Sequence, residues 1–353
     1  MSAENEPISI RPGESRTVSG GTVVVRVEAA AAGAGFFRRF LLPALLMSLF
    51  LNFVLLLATA STTATSSDGV LEKFRSGEQF AGDKLAVVQF SGTIMPPYTE
   101  RWLDQLKHAA DDSDVKAVLL EVDSPGGLVA DSHQLLHEIQ KLAKNKPVFV
   151  AMKRLAASGG YYLSMGIGPK GLIFAEPTTW TGSIGVIIPR YNASELASKI
   201  GVQVESLTTG SLKDTLNPFR DLTDEERTVW DAILTESFDR FVGVITDNRP
   251  SLSEEQVRKL ATGQIYTADQ ALQNGLVDEI GFSEEAVAAL ASRAGVSSYQ
   301  VVEYQSAPTL MDLLLGRAPD VTQSGLAKQF LDAAVPKAMY YCSWNPWVPS
   351  SGH

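Results

Sequence analysis

The chain has 353 residues, of which 45% are hydrophobic and 20% are charged, and its formal net charge at pH 7 is −10. These proportions are ordinary for a globular protein, so they exclude a chain that is disordered throughout. The negative charge argues against nucleic-acid binding, and the single cysteine, Cys342, excludes an intrachain disulfide scaffold.

An uncharged apolar run, FLLPALLMSLFLNFVLLLATA, occupies residues 40–60. As a helix it would be about 31 Å long, which matches the hydrocarbon core of a bilayer. Arg38 and Arg39 precede it, whereas residues 61–72 contain no Lys or Arg. The positive-inside rule predicts a single-pass helix in the cell (inner) membrane, with the N-terminus cytoplasmic and the bulk of the chain outside the cytoplasm. The alternative is a signal peptide cleaved after Ala60, which the 39-residue preamble disfavours.

From Lys84 the sequence alternates between apolar β-branched runs and amphipathic segments, which is typical of an α/β domain. The predicted strands are LAVVQFSG (85–92), AVLLEVD (117–123), PVFVAM (147–152), GLIFAEPT (171–178) and GSIGVII (182–188). The predicted helices are 100–112, 129–142, 223–247, 253–260, 269–274 and 283–293. This order predicts a mainly parallel sheet covered on both faces, with ligands at the carboxyl ends of the strands.

Beyond about Gln305 the α/β alternation is lost. Residues 310–316 and 327–341 are predicted to be helical pieces of a C-terminal extension. The complete predicted division is a cytoplasmic tail at 1–39, the transmembrane helix at 40–60, a linker at 61–83, the α/β domain at 84–305 and the extension at 306–353.

Glycine-rich turns directly follow two predicted strands, SPGG at 124–127 and AASGG at 156–160. Both turns are therefore expected at the same edge of the sheet. Ser158 is the best candidate nucleophile, because small residues surround it and a helix is predicted to begin there. Its N–H and that of Gly159 would lie at the positive start of that helix. Gly127 suits a tight loop whose outward N–H groups could bind an oxyanion.

The residues alone leave the general base open. His133 and His137 share one face of a predicted helix, and Lys213 lies further along the chain. A lysine base requires its pKa to fall from about 10.4 to near 7, through burial and a hydroxyl partner such as Ser183 or Ser211. The two histidines could also bind a metal, but no further ligand cluster accompanies them, so no metal and no cofactor are expected.

Six motifs occur in one order between Asp123 and Gly281: D-SPGG (123–127), AASGGYYLS (156–164), TGSIGV (181–186), G-x-x-KD (210–214), PFR (218–220) and QALQNGLVDEIG (270–281). With these motifs the chain resembles the signal peptide peptidase A (protease IV) family of membrane-anchored serine proteases. The resemblance implies a ClpP/crotonase-type spiral of β-β-α units, preceded by one transmembrane helix. Gln264 departs from the family pattern at a position expected to lie away from the catalytic pair.

The resemblance also implies roles for individual residues. Ser158 would be the nucleophile and Lys213 its general base. Ser183 would hold the lysine by a hydrogen bond, and the backbone N–H groups of Gly127 and Gly159 would bind the oxyanion. The family further implies a homo-octameric ring in which neighbouring subunits share active sites.

The expected function is therefore a membrane-anchored serine endopeptidase with a Ser/Lys dyad. Its expected substrates are signal peptides left after secretion and other unfolded apolar peptides, and residues 40–60 would contact membrane lipid. Two alternatives remain from other classes of protein. One is a crotonase-like acyl-CoA enzyme, which would need acyl-CoA, and a domain outside the cytoplasm lacks access to that substrate. The other is a catalytically inactive membrane scaffold of the same fold.

Overall fold

A computed structural model describes residue 41 and residues 43–53, 69–306 and 339–341. The chain divides into two compact units, residues 1–64 and 65–353. The first unit contains a described helix, α1, at residues 43–53. Among the described residues no helix is both long and apolar enough to cross a membrane. The predicted transmembrane segment at 40–60 lies partly outside the described residues, and the predicted tail at 1–39 lies wholly outside them.

The described part of the second unit alternates strands and helices. Its strands are β1 (Val70–Gly77), β2 (Lys84–Ser91), β3 (Val115–Ser124), β4 (Gly126–Leu128), β5 (Val148–Ala157), β6 (Ile173–Ala175), β7 (Trp180–Gly182), β8 (Ile265–Thr267), β9 (Glu279–Ile280), β10 (Gln300–Ser306) and β11 (Met339–Tyr341). Its helices are α2 (Tyr98–Asp111), α3 (Val129–Ala143), α4 (Gly159–Ser164), α5 (Ser194–Lys199), α6 (Asp224–Asn248), α7 (Glu254–Leu260), α8 (Ala268–Gln273) and α9 (Ser283–Ala294). This is a mixed α/β architecture built on a central sheet.

The central sheet has the strand order β1-β10-β2-β3-β5-β6-β9, and β7 pairs with the end of β5 and with β8. Strands β10, β2, β3, β5, β6 and β9 run parallel to their neighbours, whereas β1 pairs antiparallel with β10. A separate pair joins β4 and β11. The predicted mainly parallel sheet is therefore confirmed.

Both faces of the sheet are buried, because alternate residues of each strand enter different apolar clusters. Val88 and Phe90 of β2 belong to the larger cluster, which includes residues of α2, α3, α4 and α6. Leu85 and Val87 of the same strand belong to the smaller cluster, beneath α9. The continuous apolar run in the sequence of β2 follows from this two-sided burial.

Several element predictions were wrong or incomplete. Residues 182–188 were predicted to be a strand, but the strand β7 ends at Gly182. Residues 339–341 were predicted to be helical, yet they form β11, because pairing with β4 overrides local helix propensity. The other predicted helical residues, 310–316 and 327–338, lie outside the described residues. Strands β1 and β10 were not predicted from the sequence.

Candidate active site

Ser158 lies in a strained turn between β5 and α4. Ala157 pairs with Gly182 of β7, and the Ser158 N–H then donates to the Gly182 carbonyl over 2.8 Å. The Ser158 backbone has φ 55° and ψ −113°, a conformation that costs a non-glycine residue energy and is held by surrounding structure. The side chain is 1% exposed, and within the described part of the chain Ser158 Oγ has no hydrogen-bond partner.

Helix α4 is anchored beneath this turn by two buried tyrosines. The Tyr161 hydroxyl donates to the Leu276 carbonyl over 2.8 Å, and burial raises the pKa of that phenol. The Tyr162 hydroxyl lies 2.8 Å from His133 Nδ1, and burial followed by the charge of Arg240 lowers the pKa of that imidazole. His133 is therefore a partner of the tyrosine that anchors α4.

The Ser158 N–H was predicted to lie at the start of a helix as a candidate oxyanion donor, but it donates instead to the Gly182 carbonyl of strand β7. The Gly159 N–H lies in the first turn of α4, where the backbone N–H groups do not yet have intrahelical acceptors. Gly159 therefore fits the predicted role of oxyanion donor.

The two predicted oxyanion glycines lie against each other. A Cβ added to Gly159 would stand 3.1 Å from the Gly126 Cα atom and 3.1 Å from the Gly127 nitrogen. Ser124 Oγ accepts the Gly126 N–H over 3.1 Å and so shapes the loop, as the turn interpretation of that serine requires. The SPGG and AASGG turns thus meet at one edge of the sheet, as predicted.

The direction of the Gly127 N–H follows from the bonds of its neighbours. Ile94 N–H donates to the Gly126 carbonyl over 2.9 Å, and Leu128 N–H donates to the Ile94 carbonyl over 2.8 Å. Alternate residues of a strand direct their peptide groups to opposite edges. The N–H and C=O of Gly127 therefore face away from Ile94, along the other edge of β4.

Ser183 lies next to the Ser158 turn with a second strained backbone, at φ 49°. Its N–H donates to the Gln264 carbonyl over 2.7 Å, and the residue is only 8% exposed. Gln264 was expected to lie away from the catalytic pair, but its backbone directly fixes Ser183. The side chain of Gln264 can vary without removing this bond, because the carbonyl belongs to the main chain.

Lys213 has a solvent-exposed side chain, whereas Ser158 and Ser183 are buried. Its N–H donates to the Gly210 carbonyl over 3.1 Å. Within the described residues no hydrogen bond or ion pair joins its ammonium group to another side chain, and none joins it to Ser158 or Ser183. Packing and hydrogen bonds thus link the Ser158 turn to Gly127, Gly159 and Ser183, whereas no bond among the described residues links Lys213 to this group.

Arg220 holds the segment that carries Lys213. Its guanidinium donates to Asp214 from Nε over 3.1 Å, and to Glu226 from Nη1 over 2.9 Å and from Nη2 over 2.5 Å. The bonds from Arg220 lower the pKa of Glu226 to about 2, and bonds from Asn217 and then Arg220 lower the pKa of Asp214. This network joins the residue after Lys213 to the first turn of α6. Arg220 belongs to the PFR motif (218–220), whose spacing alone predicts no role for it.

Exposed apolar side chains surround the same segment. Leu207 is 93% exposed, and the others with large exposed areas are Tyr191, Leu196, Ile200, Val202, Val204 and Phe219. A cavity of about 320 Å³ lies among residues 194–204 and Phe219. A concentration of apolar surface of this kind is typical of a protein–protein interface.

One group among the described residues has the composition of a metal site: Glu72, His108 and Asp112. The Lys84 ammonium already lies between the two carboxylates, 2.9 Å from Glu72 and 3.0 Å from Asp112. The lysine charge balances this cluster, which belongs to β1, β2 and α2 and includes none of the predicted site residues.

Residues 140–297 match the model of peptidase family S49. A candidate protease of Methanocaldococcus jannaschii is 36% identical over 65% of this chain and 78% of its own length. The chain belongs to peptidase family S49. The predicted relationship to signal peptide peptidase A is thereby confirmed, because a candidate signal peptide peptidase SppA of Enterococcus faecium is 41% identical over 60% of this chain.

The S49 match contains four of the five predicted site residues: Ser158, Gly159, Ser183 and Lys213. Gly127 lies before the matched region, and it is placed at the site by its close packing against Gly159. The chain spans 60% of the length of the Enterococcus relative and 38% of Protease 4 of Salmonella typhi, to which it is 33% identical.

Proposed function

We propose that this S49 member is a membrane-anchored serine endopeptidase with Ser158 as nucleophile and Lys213 as general base. The observation that carries the proposal is the Ser158 turn. It places a buried hydroxyl with no partner among the described residues beside Gly159, in the first turn of α4, and beside Gly127, whose peptide groups face the β4 edge that pairs with β11. A structural serine in so apolar a position would ordinarily be hydrogen-bonded.

The proposed reaction is acyl transfer through Ser158. Its Oγ attacks the substrate carbonyl while the hydroxyl proton passes to the neutral Lys213 amine. The Gly127 and Gly159 N–H groups stabilise the negative oxygen of the tetrahedral intermediate. The lysine then returns the proton to the departing amine, and water hydrolyses the acyl-enzyme by the reverse sequence of steps.

The base would come from a second copy of the chain. A lysine acts as a base where burial disfavours its ammonium form, and Lys213 is exposed in one copy. Docking of the apolar surface around Leu207 onto a neighbouring subunit would bury it. Repeated head-to-tail, such contacts close a ring, and the proposed assembly is the homo-octamer, with each domain folded as the crotonase-type spiral.

The membrane location and the substrates are part of the same proposal. The apolar segment at 40–60 would anchor the chain, and Arg38 and Arg39 would keep the N-terminus cytoplasmic. The protease domain at 84–305 would then meet signal peptides left after secretion and other unfolded apolar segments. The tail at 1–39, the linker at 61–83 and the extension at 306–353 complete the proposed division.

Cleavage of an unstructured fluorogenic peptide by the full-length protein in detergent tests the dyad. We expect Ser158→Ala and Lys213→Ala each to lose at least about 10³-fold in kcat. Ser251→Ala and Lys144→Ala, which change exposed residues of the same types outside the proposed site and interface, should keep wild-type activity. Full activity in Ser158→Ala or Lys213→Ala would refute the dyad.

Labelling with a serine-directed fluorophosphonate separates the enzyme from an inactive scaffold. The wild type should be labelled and Ser158→Ala should not, whereas a scaffold would show no difference between them. Membership of a peptidase family disfavours the crotonase-like acyl-CoA enzyme, and that alternative predicts no peptide cleavage at all.

A further inference from the structure

Asp123 begins the D-SPGG motif, yet the proposed dyad and oxyanion donors give it no role. It lies near the end of β3, and its two carboxylate oxygens bind different groups of β5. Oδ2 accepts from the Arg154 guanidinium, over 2.8 Å from Nε and 2.6 Å from Nη2. Oδ1 accepts the Leu155 N–H over 3.3 Å. One carboxylate thus holds both a side chain and a main-chain group of β5.

The Leu155 N–H lies where β3 and β5 depart from regular pairing. The two strands pair regularly up to Val122 and again at Ser124, and between these pairs residues 153–155 of β5 oppose Asp123 alone. A bulge of this kind bends the strand and redirects the residues that follow it. Because Leu155 is the last residue of the bulge, its bond to Asp123 fixes where the regular strand resumes.

The strand that resumes at Leu155 leads directly to the candidate nucleophile. Leu155 is the first residue of β5 that pairs with β7. Ala157 is the last, and its partner Gly182 accepts the Ser158 N–H over 2.8 Å. A displacement of Leu155 would therefore shift this pairing and move the Ser158 hydroxyl with it.

The backbone of Asp123 supports the other turn of the candidate site. Its C=O accepts the N–H of Gly92, directly after β2, over 3.0 Å. Two residues later, Ile94 bonds to the residues on both sides of Gly127 in β4. Asp123 therefore lies between the segment that places Gly127 and the segment that places Ser158.

We propose that Asp123 is a positioning residue of the protease site, which acts through the Leu155 N–H and does not touch the substrate. The proposal rests on the proposed role of Ser158. Displacing a reacting group by about 1 Å lowers the rate on the order of 10²-fold. Loss of the Oδ1 acceptor should therefore lower kcat and change KM little, because substrate binding does not require an aligned nucleophile.

Two conservative variants separate the two bonds of the carboxylate. Asp123→Asn keeps an oxygen for the Leu155 N–H but loses the charge that pairs with Arg154, whose side chain is 86% exposed and can turn into solvent. Asp123→Glu keeps the charge for Arg154, but its additional methylene group moves the oxygens away from Leu155. A cavity of about 360 Å³ borders Asp123 and Arg154, so the longer side chain has room.

The kcat for cleavage of the fluorogenic peptide by the full-length protein in detergent should follow the Leu155 bond. We expect a loss of less than about fivefold in Asp123→Asn, at least about tenfold in Asp123→Glu and on the order of 10²-fold in Asp123→Ala, each with KM within about twofold of wild type. Arg154→Met removes only the exposed ion pair and should resemble Asp123→Asn. A larger loss in Asp123→Asn than in Asp123→Glu would overturn the proposal, and this order can be read even if Asp123→Ala does not fold.

Asp112 provides a matched control at the amino ends of β2 and β3, whereas Asp123 lies at their carboxyl ends. Its Oδ1 accepts the Asp114 N–H over 2.8 Å, and its Oδ2 accepts from the Lys84 ammonium over 3.0 Å. Asp112→Ala therefore removes the same two kinds of bond far along the strands from the site. We expect it to lower the unfolding temperature and to leave the kcat of the folded protein unchanged. Equal losses of kcat in Asp112→Ala and Asp123→Ala would overturn the positioning role.

Fluorophosphonate labelling separates failure of this inference from failure of the proposed function. The labelling rate of Ser158 should follow the same order of variants as kcat. A wild type that is neither labelled at Ser158 nor able to cleave the peptide would overturn both proposals. A wild type that is labelled and cleaves, with Asp123 variants that behave like Asp112→Ala, would overturn the positioning role alone.

Discussion

The Ser158 turn and the Lys213 segment are built by opposite means. Packing fixes the turn, since Ser158, Tyr161 and Tyr162 are at most 1% exposed. Ion pairs of Arg220 with Asp214 and the buried Glu226 fix the other segment, and Lys213 and Leu207 are exposed to solvent. A single chain can therefore build the proposed nucleophile and oxyanion donors, but the proposed base, Lys213, is exposed in that chain and would need burial by a neighbour.

The largest effect should come from adding a methyl group at Gly127, in the tightly packed region around the Ser158 turn. Gly127→Ala puts a Cβ 2.0 Å from the Ile94 carbonyl oxygen, so β4 must shift and its N–H leaves the oxyanion position. We expect kcat to fall about 10²–10³-fold, as when one oxyanion donor is lost. Peptide cleavage measures this, with Gly243→Ala as the control.

Gly243 is a matched control because a Cβ there meets nothing within 4 Å, inside α6. Gly243→Ala should keep wild-type kcat and raise the free energy of unfolding by about 0.5–1 kcal/mol. Wild-type kcat in Gly127→Ala would remove that glycine from the site.

Breaking the Arg220 network should have the next largest effect. Arg220→Met releases Asp214, the residue after Lys213, and leaves the Glu226 carboxylate without its cation. We expect kcat to fall on the order of 10²-fold through misplacement of the lysine. Fluorophosphonate labelling should be lost with it, because Ser158 would lack its base. Arg227, an exposed arginine in α6, provides the control, and Arg227→Met should change neither kcat nor labelling.

A charge introduced on the exposed apolar surface should lower activity by preventing assembly of the oligomer. Leu207 is 93% exposed in the single chain, so Leu207→Asp should leave the unfolding temperature of the dissociated subunit unchanged. We expect dissociation and at least about tenfold lower activity, because an unpaired charge would be buried in the interface. Size-exclusion chromatography with light scattering reads the mass. Phe80→Asp, at a position 95% exposed on the β1–β2 connection, is the control and should keep the assembly.

The smallest effect is a pH dependence of stability. Arg220 holds the pKa of Glu226 at about 2, below the unfolded value of about 4.3. A carboxylate with a depressed pKa stabilises the folded state above its unfolded pKa and loses that contribution as the pH falls toward the folded pKa. The unfolding temperature of Glu226→Gln should therefore lie below that of wild type at pH 7. The difference should close between about pH 4.3 and 2, and a constant difference would contradict the pairing.

The local sequence pattern predicted the buried elements whose packing lies within a single chain. The apolar runs predicted β2, β3 and the first part of β5, and the small residues around Ser158 predicted a turn at the strand end. Pattern could not reveal that β7 takes the Ser158 N–H, since that bond joins residues 24 apart. It also missed β1, β10 and β11, because their pairing comes from distant strands. In the proposed ring, the location of Lys213 relative to Ser158 depends on neighbouring copies, which no sequence periodicity encodes.

Mixing two inactive variants tests the shared site most directly. Ser158→Ala retains Lys213, and Lys213→Ala retains Ser158, so a ring containing both variants has some sites with an intact serine and an intact lysine from neighbouring subunits. If each site draws its base from a neighbour, co-expression should restore roughly a quarter of wild-type activity, since random mixing pairs the two intact residues at one site in four. Activity that stays at the level of the separate variants, in co-expressed rings of wild-type mass, would contradict the account.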